Sequence, residues 1–595
     1  MKSPCKIIAQ KPAVPRIIRS KMLPCDLRFF SSGRLRASLR NSTVFVIGLI
    51  CCISLFSPFN SSAASTWTGL GANADWSTAG NWNTAPVFPT TLTFAGSTRL
   101  VNSNDLSGIT ASSLTFDAAA GAFVLDGNAL TLSGNIGFNG NPAAPVTQTV
   151  NLNLALSASE TIDTPANGNL TLDGGVTSSV DTSLIKVDTG TLTLGGTNAI
   201  TSWDINGGTT VLTGSTTING DGNGRIYVAD GDYLNDCSAT LDIQPGALLD
   251  IIGSYGDTFV IGRDSGSGTV NQNGGTFVFN PANNGTIWLG ATGNSATRSA
   301  YNMNGGLLDL SGNTLGIGLG AGVSITGLVT QVSGVISNVY NLWVGWGNGH
   351  GIYSLSGGSI YIGANGITTT SGSYEVNLGG GTVAAQTSWG SSLNINLTGS
   401  NGPVTFNTAG NTVTLSGTVS GSGGLTVNGG GTLDLSGAVS YAGNTTVNTG
   451  TTLELDQTGS SPGTFHLANG AVLNLNFSGT FVVGGCYTNG VALGVGTYTS
   501  VSLPGFITGS GSLTVSAATP PVVNRPTISG GNLILTGNGG SAGAHYTWLS
   551  STNVTIPIAL WITNTVGNFD GSGDFSNAIP VSLSTPAKFF RLRTP

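Results

Sequence analysis

One short signature recurs through residues 257–363 at an almost fixed interval. An apolar stretch ending in glycine appears as Val260-Ile261-Gly262, Trp288-Leu289-Gly290, Gly316-Ile317-Gly318 and Trp343-Val344-Gly345, with spacings of 28, 28 and 27 residues. Small-residue turns alternate with it: Asn273-Gly274-Gly275, Asn304-Gly305-Gly306, Ser333-Gly334 and Ser356-Gly357-Gly358. A period in this range marks stacked supersecondary units. Each unit holds about three short strands and no helix. Alternation of apolar and polar residues supplies the strands, as in Leu130-Thr131-Leu132, Leu192-Thr193-Leu194, Leu433-Asp434-Leu435 and Leu473-Asn474-Leu475. Gly, Asn and Ser-Gly bound these runs as turn signals. A single unit cannot bury its apolar face, but stacked units can, by pairing each strand with its equivalent one coil away. The expected fold is therefore all-β: a parallel β-helix, or β-solenoid, over 100–518. At about 28 residues per coil and about 4.8 Å per coil this gives roughly 15 coils over roughly 70 Å. Alternation is less clear at 215–255 and 480–508, so irregular coils are expected there. A series of antiparallel sandwich domains is the competing reading of the same strands.

Composition supports strands over other classes. Gly makes up 92 of 595 residues but keeps no three-residue period, which excludes collagen. Charged residues are 8%, too few for long amphipathic helices or coiled coils. The hydrophobic share of 39% is too high for simple disorder. Gly and Asn suit corners that need positive φ. Thr and Val suit the flats, and stacked Asn, Ser and Thr can form side-chain ladders.

Charge is concentrated at the N-terminus. Ten of the 19 basic residues precede residue 41, with Asp26 as the one acid among them. An uncharged apolar run follows from about Thr43 to Phe56, and small residues span Ser61 to Ser65. This order describes a secretory signal peptide, with cleavage expected after Ala64. The apolar run is short for a membrane span, and an uncleaved anchor is the alternative. Cleavage leaves nine basic and 25 acidic residues, so the mature chain is acidic. Such a chain cannot neutralise a phosphate backbone, which argues against nucleic-acid binding. It also argues against docking on anionic lipid. No stable membrane span is expected after cleavage. Only Cys237 and Cys486 remain, many coils apart, so no disulfide scaffold is expected.

Residues 424–455 carry a family resemblance. The matching positions are Gly431-Thr432-Leu433, Leu435-Ser436-Gly437, Tyr441, Gly443, Thr445-Thr446-Val447, Gly450 and Thr452-Leu453. They resemble the autotransporter-associated β-strand repeat, also called the passenger-associated transport repeat. Val439 stands where that repeat usually has Asn, and Asn444 replaces a Gly. The resemblance implies a secreted β-helical surface protein of a Gram-negative-type bacterium, and it does not imply an enzyme. The outer-membrane barrel of a true autotransporter is not expected in the segment that follows Pro526.

The ends differ from the body. Trp67, Trp76 and Trp82 open the mature chain, so 65–99 is read as a Trp-rich cap over the first coil, with a sugar-stacking platform as the alternative. Residues 519–526 read as a Pro-rich linker. Residues 527–595 read as a small antiparallel β domain with a hairpin signal at Asp570-Gly571-Ser572-Gly573. That segment loosely resembles a C-terminal module of large secreted proteins of Gram-negative bacteria, which implies sorting or surface attachment.

Few residues point to chemistry. His350, His466 and His545 are isolated and lack metal-ligand spacing. The sharpest local motif runs from Asn219 to Asp230, where Asn219, Asp221, Asn223 and Asp230 stand at calcium-loop positions. A plain corner of the solenoid is the alternative reading. β-Helices of the pectin-lyase-like kind also carry polysaccharide lyases and hydrolases, which need clustered carboxylates or a base beside a cation. Asp230, Asp232, Asp236, Asp257, Arg263 and Asp264 are the candidates, and solvated corners are their ordinary explanation. The expected function is that of a structural or adhesive surface protein without catalysis or cofactor. Its partners are surface polysaccharides or other surface components. A glycan-binding protein, read from Trp203, Trp343, Trp346 and Trp389, and a polysaccharide lyase or hydrolase are the alternatives. Trp343 and Trp346 are three apart, so on one strand they are expected to point to opposite faces.

Overall fold

Strands of alternating parity stack in three columns. The computed structural model describes residues 64–595 except 180, 220–224, 232–233, 235, 254–258, 282–284, 292–297, 321–324, 517–520, 541–543, 571–572, 581–587 and 595. The basic leader and its apolar run lie outside the described residues. So do Asp221, Asn223, Asp232 and Asp257. No described helix is long and apolar enough to cross a membrane.

The first column begins at Ser65–Trp67, Thr90–Phe94 and Thr110–Asp117, and continues through Phe259–Arg263 and Thr286–Ala291. The second runs from Val101–Asn104 and Val124–Gly127 to Ser512–Val515. The third runs from Leu130–Leu132 and Leu154–Leu156 to the latter half of Thr480–Thr488. Beyond Ile367–Thr370 the first column passes into a six-stranded sheet that starts at Trp389–Ser391. The Ser391 hydroxyl donates to the Ile367 carbonyl, 2.8 Å, which ties that sheet to the coil before it. The result is a β-solenoid of about 17 coils, in which the ladders joining successive coils are parallel.

Coil length is not constant. The step from a residue to its register partner is short from Thr191 to Thr209, longer from Phe259 to Ile287 and longest of the three from Leu473 to Ile507. The interval read from the recurring triplets therefore holds only for part of the stack. The three columns stay in register through the long coils. The two stretches with unclear alternation fall in these long coils.

Alternation is converted into burial with little loss. Leu433, Leu453 and Leu473 are register partners and all are 0% exposed. Full burial of each contributes roughly 1.5–3 kcal/mol. On the outer side, side chains form ladders. Asn271 donates to Asp242 and Asn302 donates to Asn271, both at 2.8 Å, and Asn396 donates to Asn377 at 2.9 Å. All of these positions lie in one column of the second face.

Both ends of the stack change from parallel to antiparallel pairing. Trp67 bridges Trp82 antiparallel and packs against Trp82 and Phe94, both of which also pack against Trp76. The three indoles are buried, and their N–H groups donate to Thr98 O, Asn102 Oδ1 and Trp76 O. At the other end, Gly496–Tyr498 runs antiparallel along the final strand Ser512–Val515. These segments cover edges that would otherwise template another chain.

The C-terminal region has its own core of Leu535, Tyr546, Trp548, Phe569, Phe575 and Ile579. Two antiparallel sheets enclose it. One centres on Asn532–Asn538 and the other on His545–Ser551. The Trp548 N–H donates to Asn577 Oδ1, 3.1 Å, linking the sheets. Val522–Val523, within the Pro-rich stretch, pairs with Gly537 and Asn538 as an edge strand.

Candidate functional site

The recurring apolar-glycine signature builds the outer surface of the first column. Its first residues are register partners in the order Tyr227, Val260, Trp288, Gly316, Trp343, with Asp204 preceding them. These positions face outward. The next residues, Val228, Ile261, Leu289, Ile317 and Val344, face the core and are 0% exposed. The third position is left-handed in every coil: Ala229 at φ 67°, Gly262 at 70°, Gly290 at 77°, Gly318 at 70° and Gly345 at 82°. Such a residue breaks two-residue alternation.

That break corrects the expectation for Trp343 and Trp346. Gly345 inserts a left-handed step between them, and both rings come out half-buried on the outer side. Their centroids are 6.5 Å apart at 78°. Trp288 and Trp343 belong to coils two apart, yet their centroids are 6.2 Å apart. Gly316 lies between them and has no side chain to hold them apart. The other two tryptophans read as outward are core residues: Trp203 is 0% exposed and Trp389 is 5% exposed. In both, the inward parity of the strand outweighs the indole's preference for a polar neighbour.

Two of the outward tryptophans border an outward-opening cleft of about 320 Å³, whose lining includes Tyr227, Val260, Arg263, Trp288, Leu319 and Trp346. One wall is polar. Arg263 pairs with Asp230 at 3.2 Å and with Asp264 at 3.5 Å. Arg225 lies 4.0 Å from Asp204. Both guanidinium groups sit against the Tyr227 ring, 4.8 Å and 5.0 Å from its centroid. Burial pushes the Asp204 carboxyl up to about 6, with Arg225 acting against the rise and Asp230 adding to it. Burial also raises the Tyr227 phenol.

The carboxylates singled out in the sequence are thus partly gathered. Asp230, Arg263 and Asp264 meet at one corner. Asp236 stands in a separate turn, where its backbone N–H donates to Ser265 Oγ at 3.0 Å. Of the calcium-loop positions, Asn219 is exposed beyond the strand Ser215–Ile218. Asp230 is 3% exposed and engaged with Arg263. Among the described residues, no three His, Cys, Asp or Glu are grouped to hold a metal. Cys237 and Cys486 are buried free thiols, and burial pushes them up to about 11 and about 12. His350 lies 3.4 Å from Glu375, and His466 stacks on Tyr487.

Sequence reading missed Asp204, Arg225, Tyr227 and Trp288 as members of one cluster. The signal for Trp288 was present, because it opens one of the recurring triplets. Tyr227 occupies the equivalent place in Tyr227-Val228-Ala229, where Ala replaces the Gly that marks the other coils. Comparison with protein-family models, curated proteins and solved structures returned no match.

Proposed function

We propose that this chain is a secreted, cell-surface structural and adhesive protein of a Gram-negative-type bacterium, acting without catalysis. The observation that carries the reading is the outer surface of the solenoid. It consists of side-chain ladders repeated coil after coil, such as Asp242-Asn271-Asn302, rather than a single deep pocket. A repeated flat polar face suits multipoint attachment, since weak contacts add along the stack. The autotransporter-repeat resemblance supports the same reading. Its window contributes the most regular coils, with the step from Leu433 to Leu453 repeated from Leu453 to Leu473. Tyr441, one of its matching positions, is buried with its hydroxyl 2.6 Å from Thr445.

Protease treatment of intact cells tests the location. The account expects the chain to be degraded while cytoplasmic markers survive, and expects a mature N-terminus at Ser65. Protection of the chain in intact cells would reject it. Incubation of the purified protein with pectin, alginate and fucoidan tests the second half of the proposal. No chain scission is expected, and shortening of any of the three would replace the adhesive reading with an enzymatic one.

A further inference from the structure

We infer that the tryptophan cleft on the first column is a binding site for neutral polysaccharide chains. This rests on the surface reading above and names the ligand that the surface holds.

Three features of the cleft select this chemistry. The first is its aromatic side. Trp288 and Trp346 line it, and Trp343 packs against both with centroid distances of 6.2 and 6.5 Å. An indole face carries negative quadrupole charge, so it attracts the positively polarised C–H face of a pyranose ring. The second is the polar wall. A sugar presents hydroxyls at the rim of that apolar face, and Arg263 lines the cleft as a donor whose guanidinium is held in place by Asp230 and Asp264. Apolar lining with a few placed polar groups is the usual make-up of a small-ligand site. The third is charge balance. Arg225 and Arg263 are countered by Asp204, Asp230 and Asp264. Two cations against three carboxylates leave no net positive charge to hold a uronic or sulfated chain. A neutral saccharide meets no such cost.

The column also sets a direction. Outward positions repeat once per coil, about 4.8 Å apart along the stack. That advance is comparable to the length of one sugar ring in an extended chain, so a polysaccharide lying along the column meets successive coils with successive rings. Gly316 matters here. Among Tyr227, Val260, Trp288, Gly316 and Trp343 it alone lacks a side chain, which lets the Trp288 and Trp343 rings pack together with Leu319 seated over the glycine.

The test is affinity electrophoresis of the full mature protein in gels containing xyloglucan, galactomannan, mixed-linkage β-glucan or alginate. Titration calorimetry follows with the best of them. The inference expects retardation by at least one neutral chain and none by alginate. Trp288→Ala and Trp346→Ala should each weaken binding by about tenfold or more, as loss of an aromatic anchor does at other interfaces. Trp288→Phe keeps a ring and should retain most of the affinity, which separates loss of stacking from loss of fold. Unchanged migration in all three neutral gels would overturn the inference. So would alginate binding without neutral binding, capture of a proline-rich peptide in place of saccharide, or alanine variants that bind as well as the parent. None of these results bears on whether the chain is surface-exposed, which protease treatment reads independently.

Discussion

Two ionisable side chains inside the solenoid show how strictly strand parity governs this chain. Glu160 and Lys186 lie on strands Glu160–Asp163 and Ser183–Val187, at positions whose parity points inward, and both are 0% exposed. The Lys186 ammonium donates to the carbonyls of Val187, Asp188 and Gly207 at 2.7, 2.9 and 3.0 Å. Burial nevertheless pulls it down to about 8, against the pull of Asp188 and Asp163. The Glu160 carboxyl oxygens have no hydrogen-bond partner among the described residues, and burial pushes the group up to about 7. The signs follow by linkage. Glu160 holds its proton more tightly folded than unfolded, so stability falls as pH rises from its ordinary value, near 4.5, through about 7. Asp163 and Asp204, both raised to about 6, act in the same direction at slightly lower pH. Lys186 acts oppositely in a separate window, adding stability as pH rises from about 8 to its ordinary 10.5. Denaturant titrations from pH 4 to 10 should therefore show a minimum near pH 7–8. Glu160→Gln should flatten the acid limb and stabilise the protein at pH 8 by on the order of 2 kcal/mol. A parent protein that gains stability steadily from pH 4 to 7 would contradict this.

At the level of the strand and its corner, the left-handed column is the device that places the cleft. A Cβ at Gly318 would lie 2.3 Å from the His350 carbonyl oxygen, a backbone atom that cannot move aside. At Gly450, also left-handed with φ 73°, a Cβ would meet nothing within 4 Å. Gly450→Ala should thus cost only the left-handed penalty of about 1–2 kcal/mol, whereas Gly318→Ala should cost that and the clash as well. Chemical denaturation of the two variants should place Gly318→Ala clearly lower, and equal losses would contradict the close packing of coils. This column also marks where sequence reading worked and where it stopped. The triplets Val260-Ile261-Gly262 and Trp288-Leu289-Gly290 disclosed strand, core residue and corner directly. What they do not disclose is that the terminal glycine is left-handed and resets the alternation, which is why Trp343 and Trp346 share a face against the expectation of opposite ones. Lys186, by contrast, was legible in principle. In Leu184-Ile185-Lys186 it shares the parity of a core leucine, and only its charge disguised the inward position.

Across the whole molecule, the account depends on equivalent segments of successive coils lying side by side. The all-β solenoid was readable because one unit of this sequence has nothing against which to bury its leucines except its neighbour. The cleft was less readable because its parts come from separate coils. Asp230 and Arg263 are distant in the chain but adjacent in register, and Asp204 and Trp346 are separated by several further coils. Long coils, such as the one between Leu473 and Ile507, also shift the interval, so no fixed period aligns the contributing residues. Engineered disulfides measure the stacking directly. Thr171 and Thr193 are parallel register partners with half-buried outward side chains, and Val211 follows one coil later. The double variant Thr171→Cys with Thr193→Cys should oxidise almost completely, because paired strands bring the two sulfurs within bonding reach. Thr171→Cys with Val211→Cys should stay reduced under the same conditions, since two coil spacings exceed that reach. Efficient bridging of the distant pair, or none in the adjacent pair, would contradict the parallel stack on which the fold and its surface site are built.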